Sequence, residues 1–194
     1  MMTVAVYCSA KDAIPDEYLA LGKELGKWLG EHAYRLVYGG ATGGLMSRVS
    51  NAAKEAGGYV IGVIPERIIH SGRKADNCDE IYEVGNLCDR KHQMREIADC
   101  FVCLPGSFGT LDEMFDVISS GTIGEHKKPI IVLDYKGFYT GLRTEIAHMK
   151  ELRFLPQQEH YSPLFVETME ELFASLQEIR TAYERKIQLA SQQP

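Results

Sequence analysis

The chain has 194 residues, a mass of 21.7 kDa, and a composition that is 45% hydrophobic and 25% charged. These values match average soluble globular proteins and exclude a disordered chain, a collagen and a coiled coil. The formal charge is −6, so the chain lacks the excess of basic residues that is typical of a nucleic-acid-binding protein. No apolar run approaches the roughly 20 residues that span a bilayer. We therefore expect no nucleic-acid partner and no membrane partner.

The N-terminus and the cysteines indicate the compartment. The N-terminus lacks the basic segment of a signal peptide, and the cysteine count of five is odd. Both features predict a cytoplasmic protein with reduced thiols. Cys100 and Cys103 form a C-x-x-C, but residues three apart on a strand point to opposite faces. We expect two separate core thiols there rather than a redox or zinc pair.

Short apolar runs alternate with helical patterns along the chain. The runs predict β-strands at residues 3–8, 35–38, 59–64, 80–84, 100–104 and 129–133. Apolar residues at helical spacing predict a helix that starts at Pro15 and further helices at residues 45–56, 86–98, 109–120, 139–150 and 168–189. The polar stretch 66–79 has no clear period and is predicted to be a mobile loop.

The alternation of strands and helices predicts an α/β fold, a Rossmann-like doubly wound parallel sheet with helices on both faces. We expect one such domain over residues 1–194, with a C-terminal helix at about 168–189. In these sheets ligands bind at the carboxyl ends of the strands. The apolar stripe from Met169 to Tyr183 fits either packing on the sheet or a subunit interface.

A glycine-rich loop, Gly39-Gly40-Ala41-Thr42-Gly43-Gly44, joins the second predicted strand to a helix. Glycines let the backbone approach an anion, and the helix start adds free N–H groups and a positive dipole end. The spacing matches neither the dinucleotide pattern G-x-G-x-x-G nor a P-loop. An anion site and a plain tight turn both fit this loop.

A second loop, Pro105-Gly106-Ser107-Phe108-Gly109, also joins a strand to a helix. Its backbone N–H groups, from Gly106 to Thr110, can form a nest that binds an anion. A plainer interpretation is a T-x-x-E capping box, in which Glu113 returns to the Thr110 N–H. That interpretation leaves the Pro-Gly-x-x-Gly unexplained. Asp116 shares a helical face with Glu113 and is a second carboxylate of interest.

Arg90 and Lys91 lie near the start of a predicted helix, just before the strand that leads into Pro105. Cations at a helix start oppose its dipole, and a nearby phosphate or carboxylate would offset that cost. A solvated charged face is the alternative interpretation. The six histidines are scattered and the cysteines lack zinc spacing, so we expect no metal site.

Together the three elements resemble the LOG (Lonely Guy) family, cytokinin riboside 5′-monophosphate phosphoribohydrolases long mislabelled as lysine decarboxylases. The family pattern Y-G-G-x-x-x-G-L-M, R-K-x-x-M and A-D-x-F-x-x-L-P-G-G-x-G-T-x-x-E occurs here, in that order, as YGGATGGLM, RKHQM and ADCFVCLPGSFGTLDE. The resemblance runs from residue 3 to about 152. Ser107 replaces the second glycine of P-G-G-x-G-T, and it would cost around 1 kcal/mol if that position requires a positive φ.

The resemblance implies hydrolysis of the N-glycosidic bond of a purine-type nucleoside 5′-monophosphate, AMP or an N6-modified AMP, to free base and ribose 5-phosphate. It also implies a homodimer and no cofactor. Arg90 and Glu113 match the catalytic residues of the family. The loops and the resemblance together give these candidates for substrate or phosphate binding: Ser9, Gly39, Gly40, Gly43, Glu66, Lys91, Gly106, Ser107, Phe108, Gly109, Thr110 and Ser119.

The implied chemistry suits these residues. Glycosidic cleavage passes through an oxocarbenium-like ribose, which a carboxylate at Glu113 can stabilise while it orients or deprotonates water. Arg90 can serve the departing base or hold the phosphate with its planar fork. The alternative is a nucleotide-binding or carrier module that holds its ligand without cleaving it. A pyridoxal-dependent lysine decarboxylase is rejected, because the chain is too small for that architecture.

Overall fold

The computed structural model describes residues 1–155 and 161–191, so His160 lies outside the described residues. The strands are β1 (Thr3–Tyr7), β2 (Arg35–Tyr38), β3 (Tyr59–Pro65), β4 (Glu80–Val84), β5 (Cys100–Cys103), β6 (Ile130–Leu133) and β7 (Leu164–Val166). The α-helices are α1 (Asp16–Glu31), α2 (Gly44–Glu55), α3 (Glu66–His70), α4 (Leu87–Ile97), α5 (Phe108–Thr122), α6 (Thr140–Glu151) and α7 (Met169–Ala190), with a 3-10 turn at Tyr135–Gly137.

The seven strands form one parallel sheet in the order β4-β3-β2-β1-β5-β6-β7. The chain builds the sheet outward from β1 in one direction and then, from β5, in the other. Tyr7 at the end of β1 pairs with Cys103 at the end of β5, so the loops after these two strands start side by side. This is a topological switch point, and the predicted doubly wound parallel sheet is confirmed.

Both faces of the sheet are covered by helices. Along β1, Val4 enters the core cluster that includes α1, α2 and α7, and Ala5 enters the cluster that includes α4 and α5. Every residue of β1 is buried, which is why a nearly continuous apolar run marks this central strand. Cys100 and Cys103 are buried in opposite clusters, so the prediction of two separate core thiols is confirmed.

The C-terminal helix α7 packs on the sheet of its own chain. Its apolar stripe lies in the cluster that covers one face, with Met169, Leu172 and Leu176 buried and with Ile179 and Tyr183 packed against them. The apolar stripe of α7 was predicted either to pack on the sheet or to form a subunit interface. Its contacts within the chain are those of a helix packed on the sheet. No helix within residues 1–155 and 161–191 is long and apolar enough to cross a bilayer.

Two elements differ from the sequence prediction. The stretch 66–79, predicted to be a loop throughout, begins with the short helix α3, because extended Pro65 precedes it and Glu66 places a negative charge in its first turn. The rest is tied to the glycine-rich loop by a bridge between Ala41 and Lys74. Strand β7 was missed, because three residues at a sheet edge are too few to show a period.

Candidate active site

A cavity of about 730 Å³ opens at the carboxyl edge of the sheet, over the switch point. Doubly wound sheets bind ligands at this place, and the volume is typical of small-molecule sites. Most of the wall comes from the loops after β1, β2 and β5 and from the helices α2 and α5 that follow two of them. The lining residues are Cys8, Ser9, Ala10, Lys11, Asp12, Thr42, Gly43, Met46, Ser47, Arg73, Leu87, Arg90, Ser107, Gly109, Thr110 and Glu113.

Arg90 and Glu113 form a buried ion pair in the cavity wall. The Nη2 group of Arg90, on α4, donates to Oε1 of Glu113, on α5. Arg90 is 9% exposed and Glu113 is 2% exposed. The solvated charged face is therefore the wrong interpretation of Arg90. Two helices that follow each other in the chain bring the two side chains together, although 23 residues separate them.

The burial of Glu113 changes its acidity. Desolvation raises the pKa of the Glu113 carboxyl to about 7, while the nearby Arg90 guanidinium opposes the shift and Asp112 adds to it. Burial, followed by the proximity of Glu113, also raises the pKa values of the Cys8 and Cys103 thiols, which are therefore neutral. A carboxyl that titrates near neutral pH in a cavity wall is suited to proton transfer.

The first turn of α5 borders the cavity, and Ser107, Gly109 and Thr110 form part of its wall. Ser107 is the N-cap residue, and its side chain makes no capping hydrogen bond with any described residue. Its φ of −99° is ordinary for a serine, so the expected penalty for replacing glycine is absent. Gly106 has a different constraint, because a Cβ there would lie 2.1 Å from Oγ1 of Thr110. Because no side chain of the described residues caps the first turn of α5, the start of this helix is open for an anion.

The capping-box interpretation of Thr110 and Glu113 is wrong. Helix α5 begins at Phe108, so Thr110 is inside its first turn rather than at its cap. Glu113 is turned to Arg90 instead of the backbone. A buried guanidinium is a stronger partner for a desolvated carboxylate than a backbone N–H, which explains why the local pattern does not form.

The first glycine-rich loop is closed by internal hydrogen bonds. The Gly43 N–H donates to Oγ of Ser47 at 2.7 Å, and the Gly44 N–H donates to Oδ1 of Asp12 at 2.8 Å. The guanidinium of Arg73 donates to a carbonyl in the middle of the loop at 2.8 Å. Gly43 lines the cavity, but the amides nearest the start of α2 already have partners. Of the two loops, the one before α5 is the better anion site.

Seven predicted site residues lie in the cavity wall: Ser9, Gly43, Arg90, Ser107, Gly109, Thr110 and Glu113. Gly39 lies just behind it, since a Cβ on Gly39 would be 3.2 Å from Nη1 of Arg90. Gly40 packs against β3, where a Cβ would be 3.0 Å from that of Ile64. Gly106 joins Ser9 in a small adjoining pocket.

Four other predicted binding residues lie outside this wall. The Lys91 ammonium is 2.7 Å from a carboxylate oxygen of Asp112 and 3.7 Å from one of Asp116. Phe108 is 89% exposed, Glu66 begins α3, and Ser119 lines a separate apolar cavity on α5. None of these four residues lines the cavity with Arg90 and Glu113, and their roles in binding stay predictions.

The cavity wall also contains charged residues that sequence analysis did not single out. Lys11 and Asp12 follow β1, and their signal was their position at the carboxyl edge of a predicted strand rather than a motif. Within residues 1–155 and 161–191, no group of three or more His, Cys, Asp or Glu side chains is placed to hold a metal ion.

The sheet and the site at its switch point define a Rossmann-like α/β protein with a cavity for a small ligand. The sequence model of the family described as "Possible lysine decarboxylase" matches residues 46–176. A Mycobacterium marinum protein named cytokinin riboside 5′-monophosphate phosphoribohydrolase is 37% identical over 153 residues, which cover 79% of this chain and 81% of that protein. The chain belongs to this family, the LOG family.

Other comparisons cover more of the chain. The rice protein named cytokinin riboside 5′-monophosphate phosphoribohydrolase LOG is 35% identical over 181 residues, 93% of this chain and 75% of that protein. The solved structure of TM1055 has a TM-score of 0.74 at 23% identity, covering 92% and 99% of the two chains. The molybdenum cofactor carrier protein of Chlamydomonas reinhardtii has a TM-score of 0.69 at 21% identity, covering 93% and 98%. At these identities the two structures share the fold alone.

Proposed function

We propose that this protein hydrolyses the N-glycosidic bond of a purine nucleoside 5′-monophosphate, releasing the free base and ribose 5-phosphate. The observation that carries this proposal is the buried Arg90–Glu113 pair in the same cavity wall as the open start of α5. Relatives that match most of the chain are named for this activity, which supports it. The ordinary φ of Ser107 shows that a serine fits this loop without backbone strain, which supports ligand binding at the start of α5.

The first turn of α5 is assigned to the 5′-phosphate. Free backbone N–H groups and the positive end of the helix dipole favour a doubly charged anion there. The corresponding amides at the start of α2 are used by Asp12 and Ser47. Phosphate binding at α5 then supplies the energy that holds the ribose in the cavity while the bond breaks.

We expect AMP to place its phosphate against the N–H groups of residues 107–110. In the amide spectrum of labelled protein, AMP and inorganic phosphate should therefore both shift the signals of these residues. Gly43 and Gly44 should shift less, because their amides keep their internal partners. Phosphate-dependent shifts confined to residues 39–44 would contradict the assignment.

The chemical step is assigned to Glu113. A water oxygen bonds to C1′ of the ribose, the C1′–N bond breaks, and its electron pair leaves with the base. The Glu113 carboxylate stabilises the positive ribose and accepts one proton of the water, while the departing base takes up one proton from solvent. Glu113 then returns its proton to solvent, so that no proton is gained or lost overall. Arg90 holds the carboxylate in place and offers positive charge to the leaving base or to the phosphate.

The pH dependence of the reaction is expected to follow Glu113. The carboxyl must be ionised to act, and its pKa is raised to about 7, so kcat/KM for AMP should fall about tenfold per pH unit on the acid side of that value. Asp112→Asn is an informative variant, because the negative charge of Asp112 helps to raise the Glu113 pKa. Lys91, which pairs with Asp112, has the opposite effect on that pKa and remains in the variant. The acid limb should move to lower pH in this variant, and an unmoved limb would argue against Glu113.

The protein is further proposed to act as a cytoplasmic homodimer, as the family resemblance implies. Apolar side chains at the surface of α5 and near the end of α6 support contact with a second copy, since Phe115, Ile123 and Phe154 are all exposed.

The negative net charge supports a small ligand held by local groups rather than a nucleic acid.

A panel of nucleotides tests the proposed function. Nucleoside monophosphates, diphosphates and free nucleosides are incubated with the protein, and base release is measured by chromatography. Purine monophosphates should release their base, and the rate for an N6-modified AMP relative to AMP reports how the base pocket discriminates. Binding of AMP without any base release would favour the carrier alternative and contradict hydrolysis.

A further inference from the structure

Two helix starts face the same cavity, but only one of them is open. Helices α2 and α5 each begin after a glycine-containing loop, and residues from both starts form the cavity wall. At 12 and 15 residues, both helices are long enough for a positive N-terminal dipole end. In doubly wound sheets such helix starts bind phosphoryl groups. The fold therefore offers two positions, at the starts of α2 and α5, where a phosphoryl group could bind.

A carboxylate of the chain itself occupies the start of α2. Oδ1 of Asp12 accepts the Gly44 N–H at 2.8 Å. The other oxygen, Oδ2, lies 3.5 Å from the position that a Cβ on Gly43 would take, and Asp12 is part of the cavity wall. The Gly43 N–H is satisfied by Ser47. The Asp12 carboxylate therefore occupies the place at the start of α2 where an anionic ligand would bind, and its negative charge is part of the chain.

An independent observation indicates that the cavity takes an anionic ligand. Nε of Arg90 is buried and has no hydrogen-bond partner among the described residues, although Arg90 lies in the cavity wall. Glu113 engages the guanidinium through Nη2 only. A buried guanidinium N–H without an acceptor is costly, and an anionic ligand can supply one.

We propose that Asp12 restricts the cavity to ligands with a single phosphoryl group by keeping its own carboxylate at the start of α2. A second phosphoryl group there would have to displace Asp12 from Gly44 or lie beside its charge, and both are unfavourable. A single phosphoryl group at the start of α5 meets no such carboxylate on that helix start. This inference rests on the proposed function and names the residue that selects monophosphates over nucleotides with two phosphoryl groups.

The test removes the charge of Asp12 and keeps its shape. In Asp12→Asn, an amide oxygen can still accept the Gly44 N–H, and Asp12→Ser is a second variant that removes the charge with a shorter polar side chain. Asp16→Asn is the matched control, because it removes the same charge from the first turn of α1, outside the cavity wall. Binding of AMP, ADP and adenosine 3′,5′-bisphosphate is measured by calorimetry in a Glu113→Gln background, which keeps the nucleotides intact.

Asp12→Asn is expected to tighten ADP or the bisphosphate by about threefold to tenfold and AMP by less than about twofold, with the gain reduced at high salt. Asp16→Asn should change none of the three affinities. Equal tightening of all three nucleotides, an equal gain in Asp16→Asn, or no gain in either Asp12 variant would overturn the inference. The proposed function fails separately, if the protein without substitutions releases no ribose 5-phosphate from AMP.

Discussion

Glu113→Gln is expected to lower the turnover of AMP by roughly 10²–10⁴-fold, the range for losing a positioned acid or base. The glutamine keeps the shape of the side chain and an oxygen that accepts from Arg90, but it carries no negative charge and accepts no proton from water. The variant should still bind AMP, because the start of α5 is untouched. Turnover is measured by base release, and AMP binding by calorimetry.

Stability and a neighbouring carboxylate provide the controls. Glu113→Gln should change the free energy of unfolding by less than about 2 kcal/mol, because Arg90 keeps an acceptor. Glu113→Ala would leave Arg90 buried without its partner and cost about 3–5 kcal/mol, so it cannot separate the two roles. Asp116 lies one turn along the same helix, and its carboxylate pairs with Arg95 and Lys91 away from the cavity.

Asp116→Asn is therefore expected to retain most of the turnover that Glu113→Gln loses. A larger loss in Asp116→Asn would move the catalytic carboxylate from Glu113 to Asp116. Full turnover in Glu113→Gln would leave Glu113 only as the structural partner of Arg90.

Adenosine is expected to be cleaved at least about 10³-fold less efficiently than AMP, measured as kcat/KM. Charge-assisted hydrogen bonds to a phosphate are worth about 1.5–3 kcal/mol each, and two of them at the start of α5 already account for such a factor. Because this binding energy also supports the chemical step, kcat should fall along with affinity. Adding inorganic phosphate together with adenosine should recover part of the rate. Equal efficiencies for adenosine and AMP would show that α5 does not hold the phosphate.

Most of the sheet was predictable from the sequence because its central strands are buried on both faces. A central parallel strand such as β1 is buried at every position and apolar at nearly all of them, and the helices between the strands keep a clear helical period. The short elements were not predictable in this way. Helix α3 depends on the charge and capping of five residues, and β7 depends on pairing with a strand that is distant in the chain.

The motifs that form the site were predictable from the sequence, but the contacts between their side chains were not. Arg90 and Glu113 belong to separate patterns, and only the packing of α4 against α5 shows that they form a pair. Lys91 was a candidate because it matches the R-K-x-x-M motif of the family. Adjacent residues on a helix point about 100° apart, however, and Lys91 turns to Asp112. Asp12 belongs to no motif, since its contact with Gly44 joins two loops that the sequence places 32 residues apart.

The central claim is that the C1′–N bond of a nucleoside monophosphate is the bond that breaks. Its most direct measurement is the simultaneous quantification of adenine and ribose 5-phosphate released from AMP by the purified protein. We predict that the two products appear in a one-to-one ratio and that Glu113→Gln abolishes most of both. Intact AMP after prolonged incubation, or adenosine and inorganic phosphate as the products, would contradict it.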